Sequence, residues 1–155
     1  IMAGSNLLDI TITGTSTHVA LASRSGNTLL ASSEVIKTLE SMSKRNNKVR
    51  KKEKRFLLSA TNSRTNATSR NATPSQSTLQ YALRSFLSPT DDPAWNGKTI
   101  EQLINKKLKR IAKRYNVAIE SIIVKRSPPT VNDKALAHLI LPRLKPDWNQ
   151  QLQIH

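Results

Sequence analysis

The stretch TIEQLINKKLKRIAKRYN, residues 99–116, carries the clearest structural pattern in the chain. Ile100, Leu103, Ile104, Leu108, Ile111, Ala112 and Tyr115 recur at three- and four-residue spacing, which lays one apolar stripe along a helix. Lys98, Lys106, Lys109, Arg110 and Lys113 fall on the opposite face. Asn116 is a residue type that closes helices in the left-handed conformation. The spacing therefore predicts a helix over 99–115, with one side turned to a core and the other strongly cationic. A second short helix is expected over 119–124, broken by Ser127-Pro128-Pro129, and Leu139-Ile140-Leu141 reads as a short strand closed by Pro142.

Upstream, Leu8-Asp9-Ile10-Thr11-Ile12-Thr13 alternates with period two, as a half-buried strand does. After the turn-rich Gly14-Thr15-Ser16-Thr17, His18 to Ala22 resumes the alternation. Ser25-Gly26-Asn27 is a second turn, where a positive φ is cheap at Gly26 or Asn27. Thr28 to Ala31 reads as a third strand, and Ser32 or Ser33 can cap a helix carrying Val35, Ile36 and Leu39. Residues 43–55 are a charge run of eight cations opposed only by Glu53. In residues 59–78, thirteen of twenty side chains are Ser, Thr or Asn, a composition that buries little and reads as an extended arm. Leu79, Leu83, Phe86 and Leu87 make a short amphipathic stretch, ended by Pro89 and Asp91-Asp92-Pro93.

These elements make an α+β chain: a β-hairpin and helix unit over 1–42, a basic and Ser/Asn-rich arm over 43–78, a helix-turn-helix-strand unit over 79–145, and a polar tail over 146–155.

Composition narrows the function. The 155 residues hold 25 Lys+Arg against 10 Asp+Glu, a net charge of +15, with only 37% hydrophobic and 4% aromatic residues. No cysteine is present, which removes disulfides, thiolate catalysis and cysteine-ligated metals. His18, His138 and His155 lie far apart, no Gly-rich phosphate loop occurs, and no serine has a nucleophile-elbow context, so neither a metal, a cofactor nor a catalytic residue is expected. The sequons at Asn66 and Asn71 are chance products of a Ser/Thr/Asn-rich stretch. Neither a membrane span nor a secretion signal is visible, so membrane partners are not expected and an intracellular or organellar matrix location is favoured.

Concentrated cations attract polyanions through counterion release, and self-repulsion at this net charge is relieved by a phosphate backbone. The reading that follows is a non-enzymatic nucleic-acid-binding protein, RNA favoured over DNA, built into a ribosome or other ribonucleoprotein beside further proteins. The expected contacts are Lys44, Arg45, Lys48, Arg50, Lys51, Lys52, Lys54 and Arg55 on the arm. A second ridge comprises Lys106, Lys109, Arg110, Lys113 and Arg114, with Lys125 and Arg126 beyond it.

Two resemblances add alternatives. Ile111 to Ala118 with Ile122 resembles the helix-turn-helix of DNA-binding regulators, with Ala112, Asn116, Val117 and Ile122 in the packing and turn places. That implies a groove-entering helix over 118–126, with Glu120, Ser121, Lys125 and Arg126 outward. Residues 108–142 also resemble a LysM module. Leu108, Ile111-Ala112, Tyr115, Val117, Ile119 and Ile122 stand for its helix pair and Leu139 to Pro142 for its closing strand. That resemblance implies a βααβ unit binding N-acetylglucosamine polymers, as in virion tail or cell-wall proteins.

Overall fold

Period-two burial on a central strand organises the molecule, described over residues 2–21, 26–49, 54–94, 96–130 and 133–140 in a computed structural model. Strand β1 (Gly4–Thr13) buries Asn6, Leu8, Ile10 and Ile12 and turns Ser5, Leu7, Asp9 and Thr11 the other way. Strand β3 (Gln76–Ser85) buries Ser77, Leu79, Tyr81, Leu83 and Ser85. Their antiparallel register sets Leu8 against Tyr81 and Ile10 against Leu79, so the two apolar rows coincide. A one-residue slip would turn both rows outward. Strand β2 (Phe56–Thr65) pairs with the outer side of β3, and β4 (Ala118–Ser127) with the outer side of β1. The sheet is thus wholly antiparallel with order β2-β3-β1-β4.

Two helices cover one face. Helix α1 (Thr28–Val49) follows β1 and α2 (Ile100–Tyr115) follows β3, which gives the chain order β-α-β-β-α-β of a split βαβ arrangement. Ala31, Val35 and Leu39 of α1 and Ile100, Ile104, Leu108 and Ile111 of α2 close the core over Leu8, Ile10, Leu58, Leu79, Tyr81 and Leu83. Each Val, Leu or Ile among them contributes about 1.5–3 kcal/mol by leaving water. The other face is open: Leu7 and Val124 lie on it, and Ile122 is 65% exposed there. The chain is an α+β domain, as its sequence implies.

The helix over 99–115 is present as expected. Thr99 and Gln102 form a reciprocal capping box at its start, and Asn116 closes it at φ 52°. Gly26 takes φ 75°, and its carbonyl accepts from Thr15 N–H so closely that a Cβ on Gly14 would meet it at 2.1 Å. A short helix (Lys134–Ile140), α3, ends the described chain.

Several expected elements take another form. Thr28 to Ala31 is the first turn of α1, not a strand, because Asn27 Oδ1 accepts from Leu29 and Leu30 N–H and starts the helix there. Val19–Leu21 is a single 3-10 turn rather than a hairpin strand. The low-complexity arm over 59–78 holds most of β2 and the start of β3; its Ser, Thr and Asn residues are the outward half of paired strands. The amphipathic stretch that begins at Leu79 is strand as far as Ser85, the second part of β3. Residues 119–124 belong to β4, and Leu139 and Ile140 end α3 rather than forming a strand. Arg50, Lys51 and Lys52, and the tail over 146–155, lie outside the described residues.

Two local groups give predictions. Tyr81 is fully buried and its hydroxyl has no hydrogen-bond partner among the described residues. Burial, helped by the nearby Glu40 carboxylate, pushes this phenol well above its usual range. A buried unpaired hydroxyl is a desolvation cost of about 1–3 kcal/mol. Tyr81→Phe is therefore expected to leave stability unchanged or raise it in urea unfolding, whereas Leu8→Ala is expected to cost about 2–5 kcal/mol. The second group is exposed. Lys125 Nζ on β4 donates to Asp91 Oδ2 at 2.9 Å, and Ser88 Oγ donates to the same oxygen at 2.6 Å. These bonds lower Asp91 to about 2, Lys125 first. A depressed carboxylate stabilises the fold above its ordinary value near 3.8 and stops doing so as pH falls through the folded value. The difference in Tm between the wild type and Asp91→Asn is expected to shrink between pH 5 and pH 2; a constant difference would remove the clasp.

Candidate functional site

A strand at a sheet edge presents unpaired N–H and C=O groups that another chain can pair with, and proteins blunt such edges with charge, proline or a cover. The two edges of this sheet differ in that respect. Strand β4 carries Glu120, Lys125 and Arg126 and runs into Pro128-Pro129. Strand β2 has Arg64 as its only charge and no proline.

Half of β2 is covered by α1 in an unusual way. Glu40, Ser43 and Asn46 recur at three-residue spacing on the helix. Asn46 Oδ1 accepts from Phe56 N–H, Ser43 Oγ from Leu58 N–H and Glu40 Oε1 from Ala60 N–H, each at 3.0 Å. Asn46 Nδ2 also donates to the Lys54 carbonyl at 3.3 Å. The outward amides of Phe56, Leu58 and Ala60 are thus satisfied within the chain. Ser43 and Asn46 are buried, and this is what they are buried for.

The cover stops at the bulge between Ala60 and Asn62. Beyond it the phase of the strand is fixed by Asn66 N–H donating to the Gln76 carbonyl, so Asn62 and Arg64 turn toward β3 while Ser63 and Thr65 turn outward. The Ser63 and Thr65 amides have no partner among the described residues, and both side chains are exposed. At the same end of the domain, Thr28 at the start of α1 donates to the Pro74 carbonyl and accepts from Ser77. Leu29 and Leu30 beside it are 48% and 40% exposed. An open strand segment and a leucine pair exposed among the described residues lie at one end of the sheet, an arrangement able to pair with another polypeptide.

The expected cationic contacts do not form one surface. Lys44, Arg45 and Lys48 lie on the last turns of α1, Lys54 and Arg55 directly before β2, and Lys106, Lys109, Arg110, Lys113 and Arg114 on α2. Lys125 and Arg126 are on β4, where Lys125 is engaged by Asp91. Arg114 approaches Glu34 of α1 at 3.5 Å. Only Arg45, Lys106 and Arg110 of these line a common groove, between α1 and α2. The residues that seal or open the β2 edge were hidden in the sequence by the charge run and the polar tract around them. His18 lies in an exposed bridge with Ala72, and His138 is exposed on α3. Among the described residues no three His, Cys, Asp or Glu side chains come together to hold a metal ion.

Comparison with known proteins accounts for this architecture. The peptidase dimerisation domain of the M20 group matches residues 3–116, most of the chain. No curated protein matches the sequence. Among solved structures, a hydantoinase/carbamoylase family amidase from Burkholderia ambifaria superposes with TM-score 0.69 at 20% identity, covering 92% of this chain and 33% of its own. A hydantoinase/carbamoylase family amidase from Burkholderia multivorans gives 0.67 at 17% identity over 91% of this chain and 32% of its own. A dinuclear metal-binding peptidase of the M20 family from Bacillus subtilis gives 0.61 at 18% over 92% and 32%. The chain spans about a third of the length of these structures.

These findings overturn the functional expectations drawn from charge. A LysM helix pair or a groove-entering second helix would need helix over 118–126, and that segment is β4, paired along its length with β1. The RNA-associated, ribonucleoprotein reading, with nucleic acid as partner, gives way to a domain whose family is defined by self-association. The expectation of a non-enzymatic protein gives way as well, since the family is a domain of peptidases. The chain belongs to the M20 peptidase dimerisation domain family.

Proposed function

We propose that this chain is the self-association domain of an amide-hydrolysing enzyme, and that two copies join through the uncovered part of β2. The family supports self-association, and the amidase and peptidase neighbours support the class of enzyme. The chain spans about a third of the length of these neighbours, and amide hydrolysis is assigned to the rest of such an enzyme.

The observation that carries the reading is the change in β2 at its bulge. Over Phe56 to Ala60 the outward amides are taken by α1, so a second strand finds no partners there. Over Ser63 to Thr65 they are open. A two-fold axis near Ser63 would lay this segment antiparallel to its copy, each residue's contact being repeated by symmetry. The exposed Leu29 and Leu30 at the same end supply apolar area that backbone pairing alone lacks. The covered half then acts as a stop that fixes the register of the pairing.

Proline at an outward edge position removes a donor to a neighbour without breaking the ladder to β3. The double variant Ser63→Pro/Thr65→Pro loses two donors per copy, four per dimer. At about 0.5–1.5 kcal/mol each, the dimer dissociation constant is expected to rise by at least about thirtyfold. Sedimentation velocity over a concentration series measures it, with circular dichroism to confirm that the sheet is retained. A wild-type chain that stays monomeric at high concentration, or a variant that dimerises as well as the wild type, would contradict the reading.

A further inference from the structure

The groove between α1 and α2 lies away from the uncovered β2 segment, and self-association through that segment leaves it unused. It has a volume of about 530 Å³, within the range of ligand sites. Lys37 and Arg45 line it from α1, Lys106, Lys107 and Arg110 from α2, and Lys98 from the turn before α2. Among the described residues Glu34 is the only acid on its wall, and that carboxylate faces Arg114. None of the six cations has an ion-pair partner among the described residues. Met42 and Leu103, partly buried against the core, contribute apolar surface between them, with Phe56 beneath.

We propose that this groove binds an acidic peptide segment carrying one apolar anchor residue. Charge complementarity selects an anion: six cations converge on one concavity and repel one another until opposite charge enters. Their spread selects a chain over a compact ion. Lys37 and Arg45 are eight residues apart on α1, about 12 Å along the axis, so the positive charge is distributed over several peptide residues. Four of the six are lysines, flexible point charges suited to separate carboxylates, whereas a phosphate site draws on arginine forks and convergent backbone amides. The groove wall is made of helix flanks, and at the start of α2 the Glu101 amide is taken by the Pro89 carbonyl and the Gln102 amide by Thr99 Oγ1, so these amides form no phosphate cradle. The apolar floor between the cations accepts a leucine-sized side chain. Helix-flank grooves of this kind take peptides by seating an anchor and ringing it with charge pairs.

The test is fluorescence anisotropy of a labelled Asp-Glu-Glu-Leu-Glu-Asp-Glu peptide with the purified chain at low and moderate salt. Saturable one-to-one binding is expected. Lys106→Gln/Arg110→Gln should weaken it at least about tenfold, while Lys109→Gln/Lys113→Gln, which removes the same charge from α2 outside the groove, should weaken it by less than about twofold. Replacing the peptide leucine by glycine should weaken wild-type binding severalfold, a comparison that needs no protein variant. Equal weakening by the two double variants would show diffuse attraction to a +15 chain and overturn the site. Absence of saturation, indifference to the leucine, or displacement by inorganic tripolyphosphate at a lower concentration than unlabelled peptide would each overturn it too. Binding should be the same in Ser63→Pro/Thr65→Pro, so failure here and failure of self-association are read separately.

Discussion

Three side chains on α1 decide what the edge of this sheet can do. Backbone amides at an edge must be hydrogen-bonded by protein or water, and here Glu40, Ser43 and Asn46 take the outward amides of Ala60, Leu58 and Phe56. The helix thereby does two jobs. Its apolar side, with Ala31, Val35 and Leu39, covers the core, and its polar row extends past the sheet to close half of β2. The bulge after Ala60 ends that cover and leaves Ser63 and Thr65 facing out. Selective closure restricts pairing to one short segment, which is how a sheet can associate with one partner strand without growing indefinitely.

The one-sided core sets the rest. Because α1 and α2 occupy the same face, they must lie side by side, and their solvent flanks meet in the groove that collects six cations. The charge that dominates the composition is distributed over a helix pair, a strand and the approach to β2, and part of it is paired: Lys125 with Asp91 and Arg114 with Glu34. A net charge of this size bears on solubility and attraction to anions, not on fold or catalytic class. The same charge suits a nucleic-acid binder and a peptidase dimerisation domain alike, and the family match decides between them.

What the sequence disclosed follows the physics of exposure. Helix α2 was legible because its face is uniformly apolar, with a left-handed Asn116 at its end. Strand β1 was legible because Leu8, Ile10 and Ile12 alternate cleanly with Asp9, Thr11 and Thr13. Strand β2 was not, because most of its residues face water on at least one side and the tract therefore reads as polar filler. Strand β3 is ambiguous in the sequence, since Leu79 and Leu83 are spaced for a helix as well as a strand, and Tyr81 between them settles the period. In β4, Ile119, Ile122, Ile123 and Val124 place apolar residues on both faces, which erases alternation. The α1 row was hidden for a different reason: Ser43 and Asn46 work as hydrogen-bond partners of a strand that begins ten or more residues later, and no local pattern announces such a contact.

Residue-resolved amide hydrogen exchange across β2, followed as protein concentration is raised, tests the central claim most directly. The account predicts that the Phe56, Leu58 and Ala60 amides are protected at every concentration, while those of Ser63 and Thr65 exchange rapidly in dilute solution and become protected as copies associate. Rapid exchange at Phe56 and Leu58, or exchange at Ser63 and Thr65 that ignores concentration while the chain self-associates, would contradict it.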